Sequence, residues 1–294
     1  MAYHLRGRKS ISTELSGIVA KEFDKAIDEL RDHARGWEAV HEARKRVKKI
    51  RAVLRLLRTD LGDYYGPRNR RLRKVAHELS LLRDVDATAE MVRSVRDRYP
   101  DLITPSIFAS VNRGFVARKR RTARQPNSSR ALSAAARELR KTAPSTVRRV
   151  RRAADTAAVT AGFRRGYQRA LNAMARVHAE PEDVRFHAWR RRVKDHWYHV
   201  RLVEELSARA HDRAQRLKRL ETWLGDDHNL VLMREALLKT PARFGDHRAT
   251  TLVLGCVARY QTMLRRRALT LGGRLFKSRP GEFRRSMKRW LRSR

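Results

Sequence analysis

Apolar residues recur along this chain at helical spacing. The clearest run is Val40, Val47, Leu54 and Leu61, alternating with Ala43, Ile50 and Leu57. It is a heptad-like seam that marks one buried helix face. A second seam, Phe186, Val193, Val200 and Val203, follows in the other half of the chain. Turn and cap residues divide the rest. Ser12, Thr13 and Glu14 open a helix that runs to about Ala34, where Gly36 breaks it. Trp37 to about Asp60 carries the first seam and ends at the turn Gly62 to Pro67. Arg68 to Arg98 is a third expected helix, stopped by Pro100, and Pro105 to about Arg121 a fourth. Arg118 to Ser129 is basic, lacks apolar spacing and closes on Gln125-Pro126-Asn127-Ser128-Ser129, which marks a linker. A short helix is expected at Arg130 to Lys141, before Pro144. Longer ones follow at about Arg152 to Ala179, Glu182 to Leu206, Arg209 to Lys239 and Arg248 to Leu271. The tail from Gly272 is basic, with room for one amphipathic helix on Phe283, Met287, Trp290 and Leu291.

The polar positions carry a stronger signal. His41, Arg44, Lys48, Arg51, Arg55 and Arg58 step by three and four, so a helix projects all six from one face, about 100° from the seam. His187, Arg190, Lys194 and Arg201 repeat the pattern 146 residues later. Like charges at these spacings cost a helix roughly 0.2–0.5 kcal/mol per pair. No acid interrupts the row, whereas a merely solvated face interleaves both signs. A polyanionic ligand accounts for it.

The repeat extends further. Segments 41–57 and 187–203 share His, Arg, Arg, Val, Lys, Arg and Leu at matched positions, from His41/His187 to Leu56/Leu202. At an interval of 145, Arg71-Leu72-Arg73-Lys74-Val75 pairs with Arg216-Leu217-Lys218-Arg219-Leu220, Leu79 with Leu224 and Glu90 with Glu235. Two helices recurring in order point to an all-α, duplicated helical bundle, with halves at 10–122 and 130–272 and a basic tail at 273–294. Composition agrees: the 294 residues include only 14 Gly and 8 Pro, and 41% are hydrophobic, enough for a core. Against 70 Lys and Arg stand 31 Asp and Glu, a formal charge of +39. That charge concerns partners, leaving nucleic acid, anionic membrane and inorganic polyanions open. Cys256 is the single cysteine, which excludes an internal disulfide and a cysteine zinc site. No apolar stretch reaches membrane-spanning length, and the basic start lacks an apolar signal core. A soluble, cytoplasmic protein is expected.

The segments His-x-x-Arg-Lys-x-x-Lys-x-x-Arg from His41 and His-x-x-Arg-Arg-x-x-Lys from His187 resemble the CHAD domain, the conserved histidine α-helical domain. Leu79-Ser80-Leu81-Leu82-Arg83-Asp84-Val85-Asp86 and Leu224-Gly225-Asp226-Asp227-His228-Asn229-Leu230 resemble its second hallmark. The resemblance covers about residues 10–272. It implies two antiparallel four-helix bundles related by a pseudo-twofold, with a basic central groove or pore that binds inorganic polyphosphate. Members are often found on polyphosphate granules, alone or fused to a triphosphatase domain. Carried over by position, the ligand-facing set is His41, Arg44, Lys45, Lys48, Arg51 and Arg55, with His187, Arg190, Arg191, Lys194 and Arg201. Arg58 extends the row, and Arg71, Lys74, Arg216 and Arg219 form a second rank. Trp197 stands at the position of Arg51, and Glu204 at that of Arg58, so the second half is expected to bind less strongly at this end.

Other chemistry finds little footing. His41 and His187 are either core histidines or phosphate-contacting, groove-orienting ones. Neither has a second ligand at i+3 or i+4, and Leu81 takes the place of a second histidine after His77-Glu78, so no metal is expected. Asp84 and Asp86 read as ion-pair partners or caps rather than as metal-dependent hydrolytic carboxylates. Trp37, Trp189, Trp197, Trp223 and Trp290 read as packing residues. The tail reads as a mobile electrostatic arm. No phosphate-binding Gly-rich loop and no Glu-x-Glu-x-Lys strand motif occurs. The expectation is a cofactor-free, non-enzymatic polyphosphate-binding module. The alternative is a nucleic-acid-binding basic helical protein, for which no helix-turn-helix, zinc knuckle or aromatic platform is evident.

Overall fold

The computed structural model describes residues 3–32, 36–81, 86–123 and 128–292. Among them the fold is all-α, with no strand. The helices are α1 (Ile11–Arg31), α2 (Gly36–Leu56), α3 (Tyr65–Leu81), α4 (Asp86–Arg98), α5 (Pro105–Ala123), α6 (Ser128–Ala153), α7 (Thr156–Ala179), α8 (Asp183–Arg201), α9 (Ala208–Lys239), α10 (His247–Leu275) and α11 (Pro280–Arg292). Side-chain caps start several of them. Ser10, Asp155, Ser207 and Asp246 each accept a backbone N–H from three residues on, satisfying a donor with no partner inside the helix.

Several helices depart from the sequence expectation. α2 ends at Leu56 and α8 at Arg201, so Arg58 lies in the turn after α2. The single helix expected over 68–98 is two, α3 and α4; the centre of the hallmark segment between them, including Asp84, lies outside the described residues. The short helix expected before Pro144 instead runs through that proline. A mid-helix proline removes one hydrogen bond and crowds the preceding turn. Burial outweighs this: Leu139, Thr142, Thr146 and Val150, on both sides of Pro144, are fully buried. The Thr146 hydroxyl also donates to the Thr142 carbonyl at 2.8 Å.

The seams are buried as their spacing requires. Val40, Ala43, Val47, Ile50, Leu54, Leu57 and Leu61 lie in the main core, as do Phe186, Val193, Val200 and Val203. α1 packs on α2 and α6, and α3 on the same two helices. α8 lies between α7 and α9, with α10 against α9, while α2 touches both α7 and α8. The two halves of the chain exchange helices across residues 124–127. α6 returns to α1 and α3, whereas α4 packs on α5, α9 and α10. There Val95, Val111 and Phe115 form a second core with Leu230, Met233, Leu237, Phe244 and Val257.

The first and last described segments are docked. Tyr3 and Leu5 are buried, and the Leu5 N–H donates to the Leu202 carbonyl at 2.7 Å. The tail is not the arm expected from its charge, because Phe283, Met287 and Leu291 of α11 are buried against the core. Phe283 stacks on Tyr167 of α7, with ring centres 4.5 Å apart.

Candidate polyanion-binding site

With the seams of α2 and α8 buried, their basic rows are left partly exposed, and the two helices touch. Between them lies a cavity of about 480 Å³. Lys48, Arg51 and Arg55 enter it from α2, and Arg191, Arg192 and Lys194 from α8. Arg73 of α3 and Arg169 of α7 complete its cationic lining, with Tyr65, Asn69 and Tyr198 as the neutral polar groups.

Carboxylates and amides position these cations. Arg55 Nη1 donates to Asp195 Oδ1 at 2.5 Å, joining α2 to α8. Arg51 Nε donates to Asn69 Oδ1 at 3.1 Å. Burial, and then repulsion from Arg55, bring the Arg51 guanidinium down to about 10. Lys194 Nζ donates to Glu221 Oε1 at 2.6 Å, and Lys218 Nζ to the other oxygen at 3.0 Å. Burial opposes ionisation of Glu221, but these two ammonium groups prevail and hold its carboxyl down to about 2. Burial makes Lys194 itself more acidic, a change Glu221 only partly reverses. The two partners differ because the carboxylate lies between two cations, while Lys194 has one anion.

His187 faces His228 on α9, Nδ1 to Nδ1 at 3.2 Å. Burial first, then His187 and Arg190, bring His228 down to about 4, and burial with Arg191 and Arg190 lowers His187. Both rings are therefore neutral at neutral pH, and one donates to the other. Beside them, the Arg190 guanidinium lies over Gly225, with Nη2 3.5 Å from where a Cβ would stand. The Leu224-Gly225 step of the second hallmark thus lies against the first hallmark of the same half.

The CHAD domain profile matches residues 18–238, three quarters of the chain. The chain belongs to the CHAD domain family. Polyphosphate binding is the known role of that family. No curated protein sequence matches the chain.

The CHAD hallmark residues do not all share one surface. Lys48, Arg51, Arg55, Arg191 and Lys194 meet in the cavity, and Arg58 lines a second one adjoining it. His41 and Arg44 lie further up α2, on the same part-buried face. Lys45 is turned to Glu42 at 2.6 Å. Arg201 packs over Trp197 and Tyr3, with Glu204 at 3.8 Å. The second rank stands apart: Arg71 is near Glu138, Lys74 near Glu78, Arg216 bonds Asp212 at 2.9 Å, and Arg219 lies over Trp223. Asp86 begins α4, but its side chain lies outside the described residues.

Sequence reasoning missed Arg73, Arg169 and Arg192. Two had a signal in the repeat, since Arg192 pairs with Arg46 and Arg73 with Lys218. Arg169 had none, because α7 carries no hallmark. Among the described residues no group of three or more metal-ligating side chains assembles, and no helix is long and apolar enough to cross a membrane.

Proposed function

We propose that this chain binds inorganic polyphosphate without turning it over, in the groove between α2 and α8. The observation that supports this reading is the convergence of two separately encoded basic rows on one cavity, in a chain of +39 charge and CHAD membership. Lys and Arg pair with successive phosphates, Arg in bidentate fashion, and released counterions supply much of the free energy. Residues 41–56 rise by about 23 Å along α2, enough to follow several phosphates. In this reading the chain is two related bundles about a pseudo-twofold, with α2 and α8 as equivalent walls. Its cellular place is on polyphosphate granules.

The test is titration of long-chain polyphosphate into wild type and a Lys48→Ala/Arg73→Ala/Arg191→Ala variant, at several salt concentrations. Arg73 and Arg191 are exposed and Lys48 partly so, which leaves the core intact. Three lost phosphate contacts should weaken binding at least tenfold and flatten the salt dependence. Unchanged affinity and slope would refute the groove. Equal displacement by short duplex DNA at matched phosphate concentration would favour a general nucleic-acid binder instead. Phosphate release from polyphosphate with Mg²⁺ or Mn²⁺ would contradict the non-enzymatic reading.

A further inference from the structure

α1 and α7 bury matching faces. Leu15, Ser16, Val19, Phe23, Ala26 and Leu30 correspond, 144 residues on, to Val159, Thr160, Phe163, Tyr167, Ala170 and Met174, and all are buried. The same interval pairs Glu22 with Gly166. On α2 and α8, at their interval of 146, Arg46 pairs with Arg192, Lys49 with Asp195 and Val53 with His199.

These four positions behave differently in the two places. Glu22 is 5% exposed, and its carboxylate fills the space between α1 and α2, 3.0 Å from Lys49 Nζ and 3.5 Å from Arg46 Nη1. At the matching place α7 presents Gly166 and no carboxylate. Asp195 points to Arg55 at 2.5 Å and leaves Arg192 at 3.9 Å. A cavity of about 530 Å³ lies there, lined by seven arginines and one carboxylate, that of Asp195. Besides Arg55 they are Arg58, Arg164, Arg165, Arg169, Arg192 and Arg284.

The floor of the cavity adds an independent mark. His199 is 2% exposed, and its Nε2 donates to the Ala52 carbonyl at 3.0 Å. Its Nδ1 has no hydrogen-bond partner and lies 2.8 Å from where a Cβ on residue 166 would stand. A glutamate at 166 would displace that ring, so no internal anion can enter from α7. Burial, with Arg169 and Arg58 as neighbours, makes the Arg192 and Arg165 guanidiniums more acidic, and Asp195 and Asp60 offset this only in part. That is the behaviour of a cation cluster short of counter-charge.

We propose that this cavity is a second phosphoryl-anion site, where a phosphoryl group takes the place that the Glu22 carboxylate fills at the matching position. Arg55, Arg169, Arg192 and Asp195 line both this cavity and the groove, whereas Arg58, Arg164, Arg165 and Arg284 line this cavity and not the groove. Arg284 comes from α11, outside the residues that match the CHAD profile. The inference does not rest on polyphosphate binding in the groove. The phosphoryl group can belong to a free pyrophosphate or to the end of a polyphosphate chain.

The experiment is calorimetric titration of pyrophosphate into the full chain carrying Lys48→Ala/Arg73→Ala/Arg191→Ala, which weakens the groove and leaves the cavity lining untouched. Arg164 and Arg284 are exposed, so adding Arg164→Glu/Arg284→Glu reverses charge at the cavity without altering the core. The groove variant should bind one pyrophosphate, and the charge reversal should weaken it at least tenfold. If thermal melting shows that the reversal damages the fold, Arg164→Gln/Arg284→Gln is read in its place. No binding by the groove variant, or unchanged affinity after the cavity substitutions, would overturn the site. Long polyphosphate titrated into Arg164→Glu/Arg284→Glu alone separates the two sources. Weakened binding assigns the cavity to a chain end; unchanged binding, with pyrophosphate lost, assigns it to the free anion.

Discussion

Replacing Glu221 by Gln should weaken the fold by an amount that depends on pH in a defined way. Glu221 is 4% exposed and joins Lys194 to Lys218 behind the groove. A carboxyl held from 4.5 down to about 2 contributes about 3 kcal/mol to the folded state at neutral pH, at about 1.4 kcal/mol per pH unit. Lys218 is half exposed and Lys194 bears its own burial cost, which reduces the expected loss to about 2 kcal/mol. Because the folded carboxyl is the more acidic, its contribution is complete above pH 4.5 and fades as pH falls toward 2. Urea unfolding of wild type and E221Q should differ by about 2 kcal/mol at pH 7 and by less than half of that at pH 3. Equal stability at pH 7, or a gap unchanged at pH 3, would refute the reasoning. The same substitution releases Lys194 into the groove, so polyphosphate should bind E221Q more tightly than wild type.

Asp195→Asn removes the one carboxylate that lines both cavities; long polyphosphate should bind more tightly, with a salt slope steeper by up to about 1, as titrations at several salt concentrations would show. His199 is held neutral, down to about 4, chiefly by burial. The unfolded imidazole takes up its proton near 6.5, so stability is complete above that pH and is lost as pH falls toward 4. Urea midpoints from pH 7 to pH 4 should therefore show wild type losing about 3 kcal/mol more than H199V. Met287→Ala should cost about 2–3 kcal/mol and expose α11 to limited proteolysis, because Met287 is fully buried in a helix held mainly by its apolar face.

Helix faces were readable because they are local. A seam such as Val47, Ile50 and Leu54 follows from spacing alone, and so does the basic row beside it. The apolar face of α11 was readable in the same way. Its docking was not, since Phe283 needs the Tyr167 ring, supplied from α7. Pro144 departs from expectation for a related reason: a local rule ends the helix, and packing on either side of the proline keeps it going. The candidate site divides similarly. Repetition pointed to Lys48, Arg55 and Lys194, helical spacing to Arg51 and the family resemblance to Arg191, while nothing nearby in the chain pointed to Arg169.

Local pattern was enough to show that the chain is helical, that one helix carries a basic row and that the row recurs, interrupted at Trp197, in the second half. Which of these charges are answered depends on the packing of separate helices. Asp195 reaches Arg55 from 140 positions away, Glu221 reaches Lys194 from a neighbouring helix, and Glu22 has no counterpart at Gly166. Periodicity reports which way a side chain points along its own helix. Whether a carboxylate or an open cavity waits there depends on how helices distant in sequence pack together.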